Sequence, residues 1–267
     1  MVVITGAAGG IGASLCESFA AAGVRAVVAV DLDASRLDVV VSETQARGTD
    51  TIGVVADVAR EEEIRAAVEQ TQASHGRIDI LVQNAGHFAP GGPHAPNSAW
   101  QRCLAVNVMA HVYGARAVLP GMLDRSDGYI VNMCSAAGIL TDPTAAPYAV
   151  SKHAAVGFAE WLAIACRGTG VRVSAVCPQS VDTPMLDAFL ASTGEAAKEF
   201  VGEVLAPRTV ADRIVAGVTA NSFLIYPHAT TGKAEAARGQ DRDAWIAGQP
   251  HLFDLAGSLS STGDACV

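Results

Sequence analysis

Near its amino terminus the chain reads Val2-Val3-Ile4-Thr5-Gly6-Ala7-Ala8-Gly9-Gly10-Ile11-Gly12. Four β-branched residues make a strand that runs directly into a glycine turn, and a helical stretch follows at 11–22. Glycines let such a turn take positive φ and let a phosphate approach the backbone. The helix behind the turn aims free N–H groups and the positive end of its dipole at that anion. Gly6, Gly10 and Gly12, with Ile11 among them, give the spacing G-x-x-x-G-x-G. This differs from the G-x-G-x-x-G of many dinucleotide folds, and a bare glycine triplet can also be a turn that binds nothing. Its position after a first strand, with an acid after the second, favours a pyrophosphate site.

Working outward, short β-branched runs alternate with longer helical stretches. Strands are expected at Val2–Thr5, Ala26–Val30, Ile52–Val55, Ile78–Gln83, Tyr129–Met133, Val171–Val176 and Phe223–Tyr226. Helices are expected near 11–22, 34–47, 60–74, 98–120, 146–167 and 209–220. The early strands are nearly continuous apolar runs, as when both faces of a parallel sheet are covered. The rhythm predicts one α/β domain over residues 1–256, a Rossmann-like, doubly wound, seven-stranded parallel sheet. Residues 178–208 are too long for an ordinary connection and are read as a lid. Residues 257–267 are small and polar and are read as a frayed tail.

Composition narrows the function. The chain has 267 residues, half of them hydrophobic, and every long apolar stretch is broken by a charge such as Glu17, Arg25 or Glu160. A spanning helix wants ~18 or more uninterrupted apolar residues, so no membrane role is expected. The net charge of −9 argues against a nucleic-acid surface. Six scattered cysteines without a CxxC pair read as reduced thiols of a cytoplasmic protein, neither a disulfide framework nor a metal site. The start is apolar but glycine-rich without a basic leader, which argues against a signal peptide.

Further residues gather at the carboxyl ends of the strands, where ligands collect in such sheets. Asp31 ends the second strand, where a carboxylate can accept from ribose hydroxyls and repel a 2′-phosphate, selecting NAD over NADP. It can instead cap the next helix, although Asp33 would serve that purpose equally well. Asp57, after the third strand, reads evenly as an acceptor for an adenine amino group or as a helix cap. Asn84-Ala85-Gly86 follow the fourth strand: Asn84 can secure neighbouring backbone, and Gly86 leaves room for an adenosine.

Tyr148 and Lys152 stand four apart in a helical stretch opened by Pro147. That spacing puts an ammonium ~5–6 Å from the phenol on one helix face. Such a charge favours the phenolate by ~3 kcal/mol at an effective dielectric of ~20. The expected result is a phenol pKa about two units below its usual ~10, in range for acid–base work. Ser135, just past the fifth strand, can donate to a substrate oxygen. Asn107 sits among apolar neighbours mid-helix; a buried amide there needs partners, one of them a water leading to Lys152.

Taken together, Thr5–Gly12, Asp31, Asp57-Val58, Asn84-Ala85-Gly86, Asn107, Ser135, Tyr148-x-x-x-Lys152, Pro178, Val181 and Thr183 resemble the NAD-preferring short-chain dehydrogenase/reductase family over residues 2–226. The resemblance implies a catalytic tetrad of Asn107, Ser135, Tyr148 and Lys152. It also implies that Lys152 holds the nicotinamide ribose, that Val181–Thr183 contacts the carboxamide, and that helices near 98–120 and 146–167 build a homotetramer or homodimer. Gln83, Cys134 and Gln179 depart from the family pattern, standing where Asn, Ser and Gly are usual. The expected reaction is hydride exchange between NAD and a secondary alcohol or ketone. His87, Phe88, Leu140, Met185, Leu186 and Phe189 would give a mostly apolar pocket, with Gln179 at its edge. The absence of Arg and Lys from Pro178 to Ala197 argues against a strongly anionic substrate. Trp245, Ile246, Leu252 and Phe253 are apolar enough to dock as a helix near the lid or on a second subunit. Two rival readings are an NADP-linked carbonyl reductase and a catalytically silent NAD-binding sensor or scaffold.

Overall fold

The computed structural model describes residues 1–193 and 201–249. Seven strands pair in parallel: β1 Val2–Thr5, β2 Ala26–Asp31, β3 Asp50–Val55, β4 Ile80–Gln83, β5 Gly128–Met133, β6 Val171–Val176 and β7 Leu224–Ile225. Their order across the sheet is β3-β2-β1-β4-β5-β6-β7. The topology reverses between β1 and β4, which opens a crevice at their carboxyl ends.

The two-residue period of a strand sends alternate side chains to opposite faces. Val2 and Ile4 of β1, with Val27 and Ala29 of β2, meet Leu15, Phe19 and Ile214 on one side. Val3 and Val28 meet Ile78, Met122 and Leu162 on the other. The edge strand β3 is instead buried only at Thr51 and Val54. Helices α1 Gly10–Ala21, α2 Ala34–Gln45 and α3 Glu61–His75 connect the first strands. The expected single helix over 98–120 is three pieces: α4 Asn97–Leu104, a π-helical turn Ala105–Met109, and α5 Ala110–Asp124. A π turn inserts an extra residue and re-aims its side chains, often at a functional site.

Helix α6 spans Ala146–Ala165, and α7 spans Pro184–Thr193 inside the segment read as a lid. The ends of that segment are pinned together: Asp182 donates to the Leu205 carbonyl (3.0 Å) and Leu205 to that of Ser180 (3.1 Å). Helix α8 covers Pro207–Thr219. After β7 come α9 Ala229–Gln240 and α10 Arg242–Ala247, the latter carrying the expected Trp245 and Ile246. Leu252, Phe253 and the tail at 257–267 lie outside the described residues. Among the described residues no helix is long and apolar enough to cross a membrane.

Candidate active site

The glycine turn is built for close approach. Gly6 has φ +64°, and a Cβ there would lie 2.7 Å from the Ala85 Cα. A Cβ on Gly12 would lie 1.9 Å from the Gly6 carbonyl oxygen, so α1 can pack onto the turn only without a side chain. Asn84 locks the same corner, donating through Nδ2 to the carbonyls of Thr5 and Gly6 (3.0 Å each). At Gly9 a Cβ would meet nothing within 4 Å. The start of α1 therefore faces a cavity of about 990 Å³, which the turn, Asn84, Ala85 and Gly86 help to line. The free N–H groups of the first helical turn suit a bound diphosphate there.

Asp31 lies on this cavity at the end of β2. Its two oxygens accept from the N–H groups of Ala8 (2.9 Å) and Asp33 (3.1 Å), and each keeps a lone pair for a ribose hydroxyl. The cap of α2 is Asp33, which accepts from the Arg36 N–H. Arg36 also reaches the cavity wall, beside Asp33. Asp57 and Val58 do not line it. The Asp57 carboxylate accepts from the Ala59 N–H (2.9 Å) and Arg102 (3.3 Å), and Val58 packs with Ile64, Val106 and Ala110.

At the other end of the cavity, α6 presents Tyr148 and Lys152 on one face. The Lys152 Nζ lies 5.7 Å from the phenol ring centroid and donates to the Met133 carbonyl (2.8 Å). Ser135, at the end of β5, hydrogen-bonds the phenol and accepts from the Ala137 N–H (3.1 Å). The electrostatics differ from the sequence expectation. The Tyr148 phenol is pushed up to about 12, chiefly by burial against its neighbours, with the Ser135 hydrogen bond pulling it down and the Asp142 carboxylate adding to the rise. Burial disfavours the phenolate more than the Ser135 hydrogen bond favours it. Lys152 is itself buried, which pulls its pKa below the usual range. Phe88 packs edge-on to Tyr148 at 5.3 Å and to Phe189 at 5.8 Å.

Asn107 sits in the π turn, fully buried. Its Nδ2 donates to the His87 carbonyl (2.8 Å) and Ser151 Oγ (2.9 Å), and its Oδ1 accepts from the His87 N–H (2.8 Å). Both amide donors are thus spent within the protein, and the side chain clasps the loop after β4. That clasp uses the His87 backbone, and His87 is absent from the cavity wall where a substrate contact was expected. Leu140, Met185, Leu186 and Phe189 do line the cavity.

Pro178, Gln179, Val181 and Thr183 line it from the loop after β6, and Gln179 proves to be a tether. Its Nε2 donates to the hydroxyls of Thr230 and Thr231 (3.0 Å each), and its N–H to His228 Nδ1 (3.0 Å). The buried His228 must then carry its proton on Nε2, where it meets the Ser180 carbonyl at 3.1 Å. Gln83 is likewise structural, donating to Asn132 Oδ1 (2.9 Å) and the His111 carbonyl (3.1 Å).

Sequence reasoning missed the basic part of the far wall. Arg238 and Arg242, from α9 and α10, line the cavity together with Asp142 and with Trp245, which was expected near the lid. The absence of Arg and Lys from 178–197 therefore does not leave the cavity without basic side chains on this wall, because Arg238 and Arg242 reach it from beyond β7. No cluster of three or more metal-ligating side chains occurs among the described residues.

Comparison with known proteins agrees with this geometry. The profile of the family described as short chain dehydrogenase matches residues 1–193. The 1-deoxy-11-beta-hydroxypentalenate dehydrogenase of Streptomyces exfoliatus is 37% identical over 196 residues, covering 72% of this chain and 71% of its own. A short-chain dehydrogenase/reductase from Burkholderia phymatum, solved in complex with NAD, superposes with a TM-score of 0.82 at 29% identity, covering 91% of this chain and 94% of its own. The L-sorbose reductase of Gluconobacter frateurii, solved with NADPH and L-sorbose, gives 0.75 at 28% identity, covering 84% and 93%. A glycine turn under a switch-point crevice, a Tyr-Lys pair on α6 with Ser135 beside it, and a family match over 193 residues place this chain in the short-chain dehydrogenase/reductase family.

Proposed function

We propose that the protein oxidises a secondary alcohol to a ketone, reversibly, with NAD as hydride acceptor. The carrying observation is the convergence of Tyr148, Ser135 and Lys152 on one cavity that also holds Asp31 and the glycine turn. The turn and the start of α1 would hold the pyrophosphate, Asp31 the adenosine ribose, and Lys152 the second ribose, with Val181 and Thr183 beside the carboxamide. When bound, the nicotinamide supplies the redox chemistry. Ser135 donates to the substrate oxygen and Tyr148 takes its proton. Without bound ligands the phenol holds that proton well above neutrality, so the oxidative direction depends on neighbouring positive charge. Asn107 positions the His87 loop and Ser151, one residue before Lys152. Phe88, Leu140 and Phe189 favour an apolar substrate body.

A second reading, NADP-linked reduction, draws on Arg36 at the adenosine end, where a guanidinium could meet a 2′-phosphate. Against it, Arg36 is flanked by Asp31 and Asp33. Exposed apolar side chains on α4 to α6, among them Leu104, Trp161 and Ile164, support assembly through those helices. The function is tested by following nicotinamide absorbance with a panel of secondary alcohols and each cofactor. Turnover with NAD exceeding that with NADP is expected; a clear NADP preference would mean Asp31 is misread. Cofactor binding with no turnover on any alcohol or ketone would favour a sensor.

A further inference from the structure

Beyond the reacting groups, the cavity carries an unexplained pair of cations. Arg238 lies in the last turn of α9, Asp241 caps α10 by accepting from the Ala244 N–H, and Arg242 opens α10. The two arginines thus bracket the bend between the helices, and both line the cavity. Neither forms an ion pair with a carboxylate among the described residues.

Arg238 is steered from α6. His153 Nδ1 faces the Ala149 carbonyl at 2.9 Å, so it carries the proton and Nε2 is left as an acceptor. Arg238 Nη2 donates to that nitrogen at 3.4 Å. The contact ties Arg238 to α6, the helix that carries Tyr148 and Lys152. One anionic side chain lines this end, Asp142, and its Oδ1 is held by the Thr144 N–H (2.8 Å) and hydroxyl (2.7 Å). Glu235, the nearby acid on α9, accepts from the Tyr226 hydroxyl. Asp142, Glu235 and the capping Asp241 are each engaged by other groups, so the two arginines keep guanidinium donors for a ligand. A guanidinium fork matches the planar oxygens of an oxyanion.

We propose that Arg238 and Arg242 bind an anionic group, a carboxylate or a similar oxyanion, carried by the substrate whose hydroxyl meets Tyr148 and Ser135. The substrate is then a hydroxy acid with an apolar body against Phe88, Leu140 and Phe189 and its charge at the α9–α10 bend. This deepens the oxidoreductase reading and rests on it for the alcohol end only.

The test uses β-hydroxy acids of graded length, hydroxybutyrate to hydroxyoctanoate, and their methyl esters, with saturating NAD. The full chain is compared with Arg238→Gln, Arg242→Gln, the double variant and Arg238→Lys, each checked for an unchanged melting transition. Wild type is expected to prefer acid over ester in kcat/KM. Each Gln variant should lower the acid-to-ester ratio by about tenfold, the double variant by more, and Arg238→Lys should keep part of it. A second measurement needs no turnover: with Trp100→Phe and Trp161→Phe, Trp245 is the one tryptophan left. Its fluorescence is titrated with hexanoate, and a saturable change that the double Gln variant abolishes supports the site. Equal use of acids and esters, an effect on the KM for NAD in place of the acid, or a silent Trp245 overturns the inference. Ester turnover with no acid preference leaves the dehydrogenase reading intact; hexanoate binding without turnover of any alcohol does the reverse.

Discussion

Replacing Lys152 by methionine removes a charge with little change in volume, and the structure predicts opposite effects on rate and stability. The ammonium lies 5.7 Å from the phenol ring centroid. At an effective dielectric of ~20 a unit charge at that range favours the phenolate by about 3 kcal/mol, or about two pKa units. Oxidation by the variant should fall by about 100-fold at fixed pH, with the alkaline limb of its profile displaced upward. Stability should move the other way. Burial lowers the Lys152 pKa, so the fold disfavours its charged form. That penalty is fully present below the folded pKa and is relieved as pH rises through it toward the unfolded value. At neutral pH wild type bears it, against one charge-assisted hydrogen bond to Met133. Desolving an ammonium costs several kcal/mol and such a bond returns about 1.5–3 kcal/mol. The melting temperature of Lys152→Met should therefore rise, by about 2–4 °C for each kcal/mol relieved. Thermal melts and pH–rate profiles on one preparation decide the matter. A lower melting temperature with turnover intact would show that Lys152 is a structural group and refute the argument.

Three further outcomes follow from the geometry. Asp31→Ser removes the carboxylate at the adenosine end and should move the NADP-to-NAD ratio of kcat/KM by about tenfold toward NADP. Gly12→Ala sets a methyl 1.9 Å from the Gly6 carbonyl, so α1 must shift; calorimetry should show weaker NAD binding and melts a loss of about 1–3 kcal/mol. His87, His111 and His228 all have pKa values lowered chiefly by burial, His111 to about 3. Groups that fold in the neutral form give stability that is complete above their unfolded value of ~6.5 and is lost as pH falls below it. Denaturant midpoints should drop between neutral and acidic pH, less steeply in His111→Leu.

The fold was legible where both sheet faces are buried. β1 begins and ends where its β-branched run does, because burial on both sides leaves no charged residue to blur the boundary. Asp50 and Thr51 of β3 were missed because an edge strand tolerates an exposed acid at its end. The Tyr148–Lys152 spacing was readable from helical geometry, but the phenol's desolvation depends on Phe88, which arrives from another loop. Asn107 could be recognised as a buried amide, yet its partners could not, since the π turn that aims it leaves no mark in hydrophobic periodicity. Arg238 and His153 meet across 85 residues, a juxtaposition that no local pattern encodes. The basic residues at 238 and 242, followed by Trp245 and Ile246, were the one available signal that this stretch reaches the site.

The claim beneath all of this is that the Tyr148 hydroxyl exchanges a proton with the substrate beside bound NAD. Single-turnover kinetics on Tyr148→Phe, with NAD binding measured on the same sample, tests it most directly. Cofactor affinity close to wild type with hydride transfer reduced by a factor of at least ~100 is the predicted result. Undiminished hydride transfer by the phenylalanine variant would contradict it.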